Sequence, residues 1–148
     1  MKNLKPSLAE ATVIREFTSP DLSFIVNSWS NQIKKHPPFS MWGDEEFREH
    51  TKTYVVPLVR RGKVLILADK IMPDLILSWI CGSTLDGQGV LHFGYTKSNH
   101  RGLGYFSALY SLVFENKPVV CTEWTPNMAR HIANWNYRPD PYITHRCL

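Results

Sequence analysis

Between Lys63 and Lys97 three β-type runs follow one another with little between them: "KVLILAD" (63–69), "DLILSWICG" (74–82) and "VLHFGYTK" (90–97). Each is rich in aliphatic, β-branched or aromatic residues. The connectors, one containing Pro73 and the other reading "DGQG", carry turn chemistry. Parallel neighbours need a long crossover, so connections this short make an antiparallel meander. In the last run Leu91, Phe93 and Tyr95 alternate, which predicts that they share one face. Whatever else the chain does, it must cover both faces of this sheet.

The flanking sequence supplies the cover. A short β-like stretch, Thr12 to Phe17, precedes "TSP", a cap followed by a first-turn proline. Leu22, Ile25, Val26 and Trp29 then fall at helical spacing. "HPPFSMWGD" breaks this helix. A second helix is predicted from Asp44 as N-cap to Gly62 as stop, with Pro57 kinking it. After the meander, Phe106, Leu109, Tyr110 and Val113 form the apolar stripe of a third helix, stopped by Pro118. "PVVCTEW" reads as a further strand, "TPNMARHIANW" as a short helix, and the proline-broken tail as the place for a final strand. The order β-α-α-β-β-β-α-β-α-(β) is a mixed α/β or α+β layer, expected to form one domain over 1–148.

Composition narrows the function classes. The 148 residues are 43% hydrophobic and 20% charged, as in a globular domain. No run is long and apolar enough to span a membrane, and the N-terminus lacks an apolar core of signal-peptide length, so a cytoplasmic protein is expected. Cys81, Cys121 and Cys147 are odd in number, far apart and without CxxC spacing, which fits small packed residues and a tail thiol. His36, His50, His100, His131 and His145 show no ligand spacing, and no metal is expected. The net charge of +4 favours an anionic ligand; with exposed aromatics it leaves a nucleic-acid partner open, weakly.

The segment "TKSNHRGLGYFSALY" (96–110) joins a strand to a helix through Arg-Gly-Leu-Gly. The first amides of a helix lack internal partners and sit at the positive end of its dipole, so phosphate is the natural guest. The spacing is not that of a P-loop, and a Rossmann fingerprint would need a third glycine near the first βα unit.

The arrangement resembles the GCN5-related N-acetyltransferase (GNAT) family over about residues 12 to 140. The likeness is most specific at "YTKSNHRGLGYFSAL", which follows that family's Arg/Gln-x-x-Gly-x-Gly/Ala signature except that Phe106 stands where Gly or Ala is usual. A softer likeness to small bacteriophage-encoded acetyltransferase-like proteins rests on "ILSW", "LHFGYTK" and "DPYI". If phage-encoded, the protein would work in the host cytoplasm. The resemblance implies a mixed, mostly antiparallel sheet with two splayed strands and helices on both faces. It implies acetyl-CoA as co-substrate, its pyrophosphate on Arg101, Gly102, Leu103, Gly104, Tyr105 and Phe106, and its pantetheine arm along Tyr95, Thr96 and Lys97. Asn127 matches the start of the last helix.

Direct attack by an amine requires only an acceptor for its proton and a donor to the leaving thiolate. His92 on the fourth strand ranks first as base and Glu123 second, because imidazole titrates near neutrality without help. The bland readings are a hydrogen-bonded sheet histidine and a surface or salt-bridged glutamate. The family's acid is often a tyrosine on the last helix; Asn134 and Trp135 stand where it is expected, and Tyr137 is the nearest phenol. The acceptor, a small-molecule or protein amine, should lie against the first two helices and their loop, where Trp29, Phe39, Met41 and Trp42 fall, with Trp79 near; Trp29 and Trp79 read better as core. The alternatives are a binding protein of this fold without catalysis, acting on a host protein, and a nucleic-acid-directed modifier.

Overall fold

The computed structural model describes residues 5–123, 125 and 137–148. Six strands form one sheet in chain order: β1 (Thr12–Glu16), β2 (Lys63–Asp69), β3 (Ile76–Leu85), β4 (Gln88–Thr96), β5 (Val119–Cys121) and β6 (Tyr137–Pro139). β1 to β4 run antiparallel, as the short connectors dictate. The β3–β4 hairpin closes on Asp86 and Gly87, with φ of +53° and +78°, between the paired residues Leu85 and Gln88. Two positive φ values in a two-residue loop match the twist of the flanking strands. β5 is parallel to β4, and β6 to β5. The crossover from β4 to β5 is made by α5 (Tyr105–Phe114).

The other α-helices among the described residues are α1 (Pro6–Ala11), α2 (Leu22–Ile33), α3 (Asp44–His50), α4 (Val56–Arg61) and α6 (Thr144–Cys147). α1 has no counterpart in the sequence reading. Thr18 and Asp21 form a reciprocal capping box ahead of α2, and Asp21 also takes a bidentate contact from Arg15 at 2.7 and 2.9 Å. Between α3 and α4 the chain stays helical but widens into a π turn at Thr51–Val55, where the Val56 amide donates to Thr51 O. Pro57 has no amide to give and its ring crowds the preceding turn, so the expected kink is absorbed there. Asp44, expected as the cap, is the first helical residue, and Gly43 caps it.

The two faces of the sheet are covered by different helices. Cys81 Sγ lies 3.6 Å from Leu58 O of α4, while a Cβ on the next residue, Gly82, would meet the Phe114 ring of α5 at 2.7 Å. On the α2 side the Trp29 ring stacks on Phe93 at 5.3 Å and tilts against Trp79 at 5.8 Å. Trp29 and Trp79 are fully enclosed core residues.

β4 carries a bulge. Cys81 pairs with Phe93 but Gly82 pairs with Leu91, so His92 is an extra residue. Because Cys81 and Gly82 point to opposite faces, Leu91 and Phe93 do too. The predicted alternation therefore holds for Phe93 and Tyr95 and fails for Leu91. The bulge re-aims the strand just where β5 leaves it.

Candidate active site

β4 and β5 pair only over Gly89–Leu91 and Val119–Cys121. One further bond, from the Thr122 amide to Leu91 O at 3.0 Å, closes the paired part. Beyond it β4 continues to Thr96 with no strand on that side among the described residues. On the other side the Lys97 amide donates to Leu77 O at 2.9 Å. Backbone polar groups alternate between the two edges of a strand. Tyr95 and Lys97 thus spend theirs on β3, while Gly94 and Thr96 face the open edge. Of the three residues assigned to a pantetheine arm only Thr96 faces it. Gly94 was missed, although a strand offers alternate residues, not consecutive ones, to a guest.

Gly94 also has a packing role. A Cβ there would collide with the Phe106 ring, which lies on this part of the strand. The bulky residue at the signature's last position is accommodated by the absence of a side chain opposite.

The turn after β4 is built for close approach. Gly102 and Gly104 have φ of +77° and +86°, a region that costs a residue with a Cβ, and nothing lies within 4 Å of where a Gly102 Cβ would be. Gly104 caps α5 with no side-chain hydrogen bond, and the first intrahelical donor is the Ala108 amide to Gly104 O. The first amides of this ten-residue helix, Tyr105 and Ser107 among them, therefore have no intrahelical partner at the positive end of its dipole. Arg101 is exposed; its Nε donates to Thr96 O at 3.1 Å, and no carboxylate among the described residues pairs with it. Its charge is held at the same end. Leu103 and Phe106 are partly buried against the core.

His92 and Glu123 occupy different environments. His92 is fully enclosed. Its Nε2 lies 2.8 Å from Ser83 Oγ and its Nδ1 3.4 Å from Thr122 Oγ1, which itself donates to Leu91 O. The network fits a neutral ring with the proton on Nδ1, and burial lowers its pKa to about 4. Glu123, just past β5, keeps partial exposure and takes the Trp29 indole N–H on both carboxylate oxygens, at 3.2 and 3.4 Å. Burial pushes this carboxyl up to about 8, against the opposing pull of the indole donor. A group poised near neutrality is thus the glutamate, the reverse of the unperturbed order. Asn127, Asn134, Trp135 and the helix predicted around them lie outside the described residues; Tyr137 contributes its backbone to β6.

On the α2 side a groove of about 360 Å³ is lined by Phe24, Asn27, Ser28, Asn31, Gln32, Lys35 and Tyr95. It adjoins the helix that carries Trp29 and the strand end that carries the open edge. Phe39 and Trp42, expected at the acceptor, pack with Phe47 and His50 into an aromatic cluster, and Met41 is 79% exposed. Among the described residues no group of three His, Cys, Asp or Glu side chains could hold a metal ion. No helix among them is long and apolar enough to cross a membrane.

No family model matches the sequence, and no curated protein matches it. Solved structures do share the fold. An acetyl transferase, provisionally so assigned, from Pyrococcus furiosus superposes with a TM-score of 0.62 at 19% identity, over 83% of this chain and 89% of that one. A histone acetyltransferase HPA2 and related acetyltransferase from Corynebacterium glutamicum gives 0.57 at 18%, over 84% and 82%. An acetyltransferase of the GNAT family from Staphylococcus aureus Mu50 gives 0.50 at 16%, over 70% and 64%. The fold of this chain is that of the GNAT acetyltransferases.

Proposed function

We propose that this protein is an acetyl-CoA-dependent N-acetyltransferase, in which an amine attacks the thioester directly. The observation that carries the reading is the junction of β4 and α5. A strand edge with no described strand beside it leads straight into a turn with two left-handed glycines, the first amides of a helix and an exposed arginine. Such an edge suits an extended amide-bearing arm, and such a turn suits a pyrophosphate at its end.

Acetyl-CoA, when bound, supplies an activated acyl carbonyl and a thiolate leaving group. The chain's own groups do the rest. The edge amides of Gly94 and Thr96 offer donors to the arm and to charge developing beside it. Arg101 and the first amides of α5, those of Tyr105 and Ser107, hold the phosphates. Glu123 accepts the ammonium proton of the acceptor, and the Trp29 N–H fixes the orientation of its carboxylate. His92, enclosed and hydrogen-bonded on both ring nitrogens, acts in this reading as a support for the bulge. The leaving thiolate takes its proton from water.

The test is thiol release from acetyl-CoA across a panel of amines. Turnover with at least one amine, abolished when acetyl-CoA is replaced by CoA, supports the reading. Tight binding of acetyl-CoA with no thiol release over background for any amine would instead make the chain a binding protein of this fold.

A further inference from the structure

We infer that the acceptor is an amine carrying a carboxylate, as a free amino acid or a peptide end does, and that its carboxylate is held in the groove beside α2; this rests on the acetyl-transfer reading. The groove of about 360 Å³ runs between one side of α2 and Tyr95 at the end of β4. Its lining has a consistent chemistry. Asn27, Asn31 and Gln32 present carboxamides, Lys35 a cation, and Phe24 and Tyr95 apolar rings that meet edge to face at 6.0 Å.

Asn27, Asn31 and Lys35 are exposed; among the described residues none of the carboxamides hydrogen-bonds to another side chain, and Lys35 has no carboxylate partner. Its neighbour differs, since Lys34 is paired with Asp44 at 3.3 Å. No acidic residue is among the described residues that line the groove. Asn27, Asn31 and Gln32 lie on one stripe of α2, because residues three and four apart are neighbours on a helix, and Lys35 follows just past its end. The opposite stripe, Ile25, Trp29 and Ile33, is buried.

The absence of a carboxylate in the lining is the discriminating feature. A polycationic amine would meet only a like charge there, with nothing to neutralise its second ammonium. A carboxylate meets an unpaired ammonium and carboxamide donors. The chain's net charge of +4 reinforces attraction of an anionic group. Geometry gives the order of parts. Tyr95 at the end of the groove and Phe93, which stacks on Trp29 at 5.3 Å, are alternate residues on one face of β4, so an acceptor seated by its carboxylate lies one strand step from the indole that holds the Glu123 carboxylate.

Two measurements on the full chain test this. In saturation-transfer NMR the standard L-amino acids and a set of C-terminally free dipeptides are compared with their amides, without any acyl donor. At least one carboxylate probe should bind; its amide should not; and Lys35→Glu should abolish the signal. The amino-acid and dipeptide arms distinguish the two sources. In the thiol-release assay, Lys35→Ala should raise KM for the same carboxylate acceptor roughly 10-fold or more, the loss of one charge-assisted hydrogen bond. Acetyl-CoA affinity should stay as it was. Equal binding of acids and amides, binding insensitive to Lys35→Glu, or turnover confined to polyamines or uncharged amino sugars overturns the inference while leaving acetyl transfer in place. Carboxylate binding without thiol release leaves the groove as described and contradicts the acetyl-transfer reading instead.

Discussion

At the scale of residues the account turns on Glu123 and His92. Glu123→Gln keeps volume but cannot take a proton, so turnover should fall roughly 10²-fold or more while acetyl-CoA affinity is kept, measured by thiol release and calorimetry side by side. The wild-type rate should rise with pH through a group near 8, the value burial gives this carboxyl, and that limb should vanish in the variant. His92→Gln should act differently. It disturbs an enclosed residue bonded to Ser83 and Thr122, so the melting temperature should drop, by the equivalent of about 1–3 kcal/mol, with the rate per folded molecule retained. Which carboxylate or imidazole sits near neutrality was not legible in the sequence. Both shifts come from burial, and the Trp29–Glu123 contact joins residues 94 apart in the chain. The turn was legible as an anion site, because Gly-x-Gly between a strand and a helix leaves the first helix amides open to close approach. The conformation of the glycines changes what a substitution means: Gly104→Val is strained at φ +86° with or without a ligand, so it should lower stability and binding together.

At the scale of elements, β4 does most of the positioning. The meander that contains it follows from three strand-type runs and turn residues. The bulge at His92 does not, since its sequence alternates as regularly as a flat strand would. The consequence is that Leu91 and Phe93 face opposite helices and that the outer edge from Gly94 onward stands free of β5. The same element explains Phe106. Its ring lies where a Cβ on residue 94 would go, so Gly94→Val should destabilise the fold by forcing ring and strand apart. Phe106→Ala should recover part of that loss in the double variant, and a double-mutant cycle on melting free energies measures the coupling. Simple additivity would mean that the two residues do not compete for one space. In the α3–α4 stretch the proline signal was legible as an interruption; only the structure shows it resolved as a π turn at Thr51–Val55 instead of a break.

At the scale of the whole molecule, two buried titrating groups pull stability in different pH windows. Glu123 binds its proton more tightly folded than unfolded, its pKa rising from 4.5 to about 8. Its contribution is complete below the unfolded value and is lost as pH rises through that window. His92 is lowered from 6.5 to about 4, so its contribution is present above 6.5 and is lost as pH falls toward 4. The two slopes oppose each other between 4.5 and 6.5, and only the Glu123 slope remains between 6.5 and 8. Chemical denaturation should therefore show stability falling over that upper window in the wild type and flat in Glu123→Gln.

The central claim is that the β4–α5 junction holds acetyl-CoA, and it is tested most directly by calorimetric titration of acetyl-CoA into the full chain and into Arg101→Ala. The account predicts saturable binding at one site, weakened roughly 10- to 100-fold in the variant by loss of a charged hydrogen bond to phosphate, with the melting temperature of the free protein unchanged. Absence of binding, or equal affinity in wild type and Arg101→Ala, would contradict it.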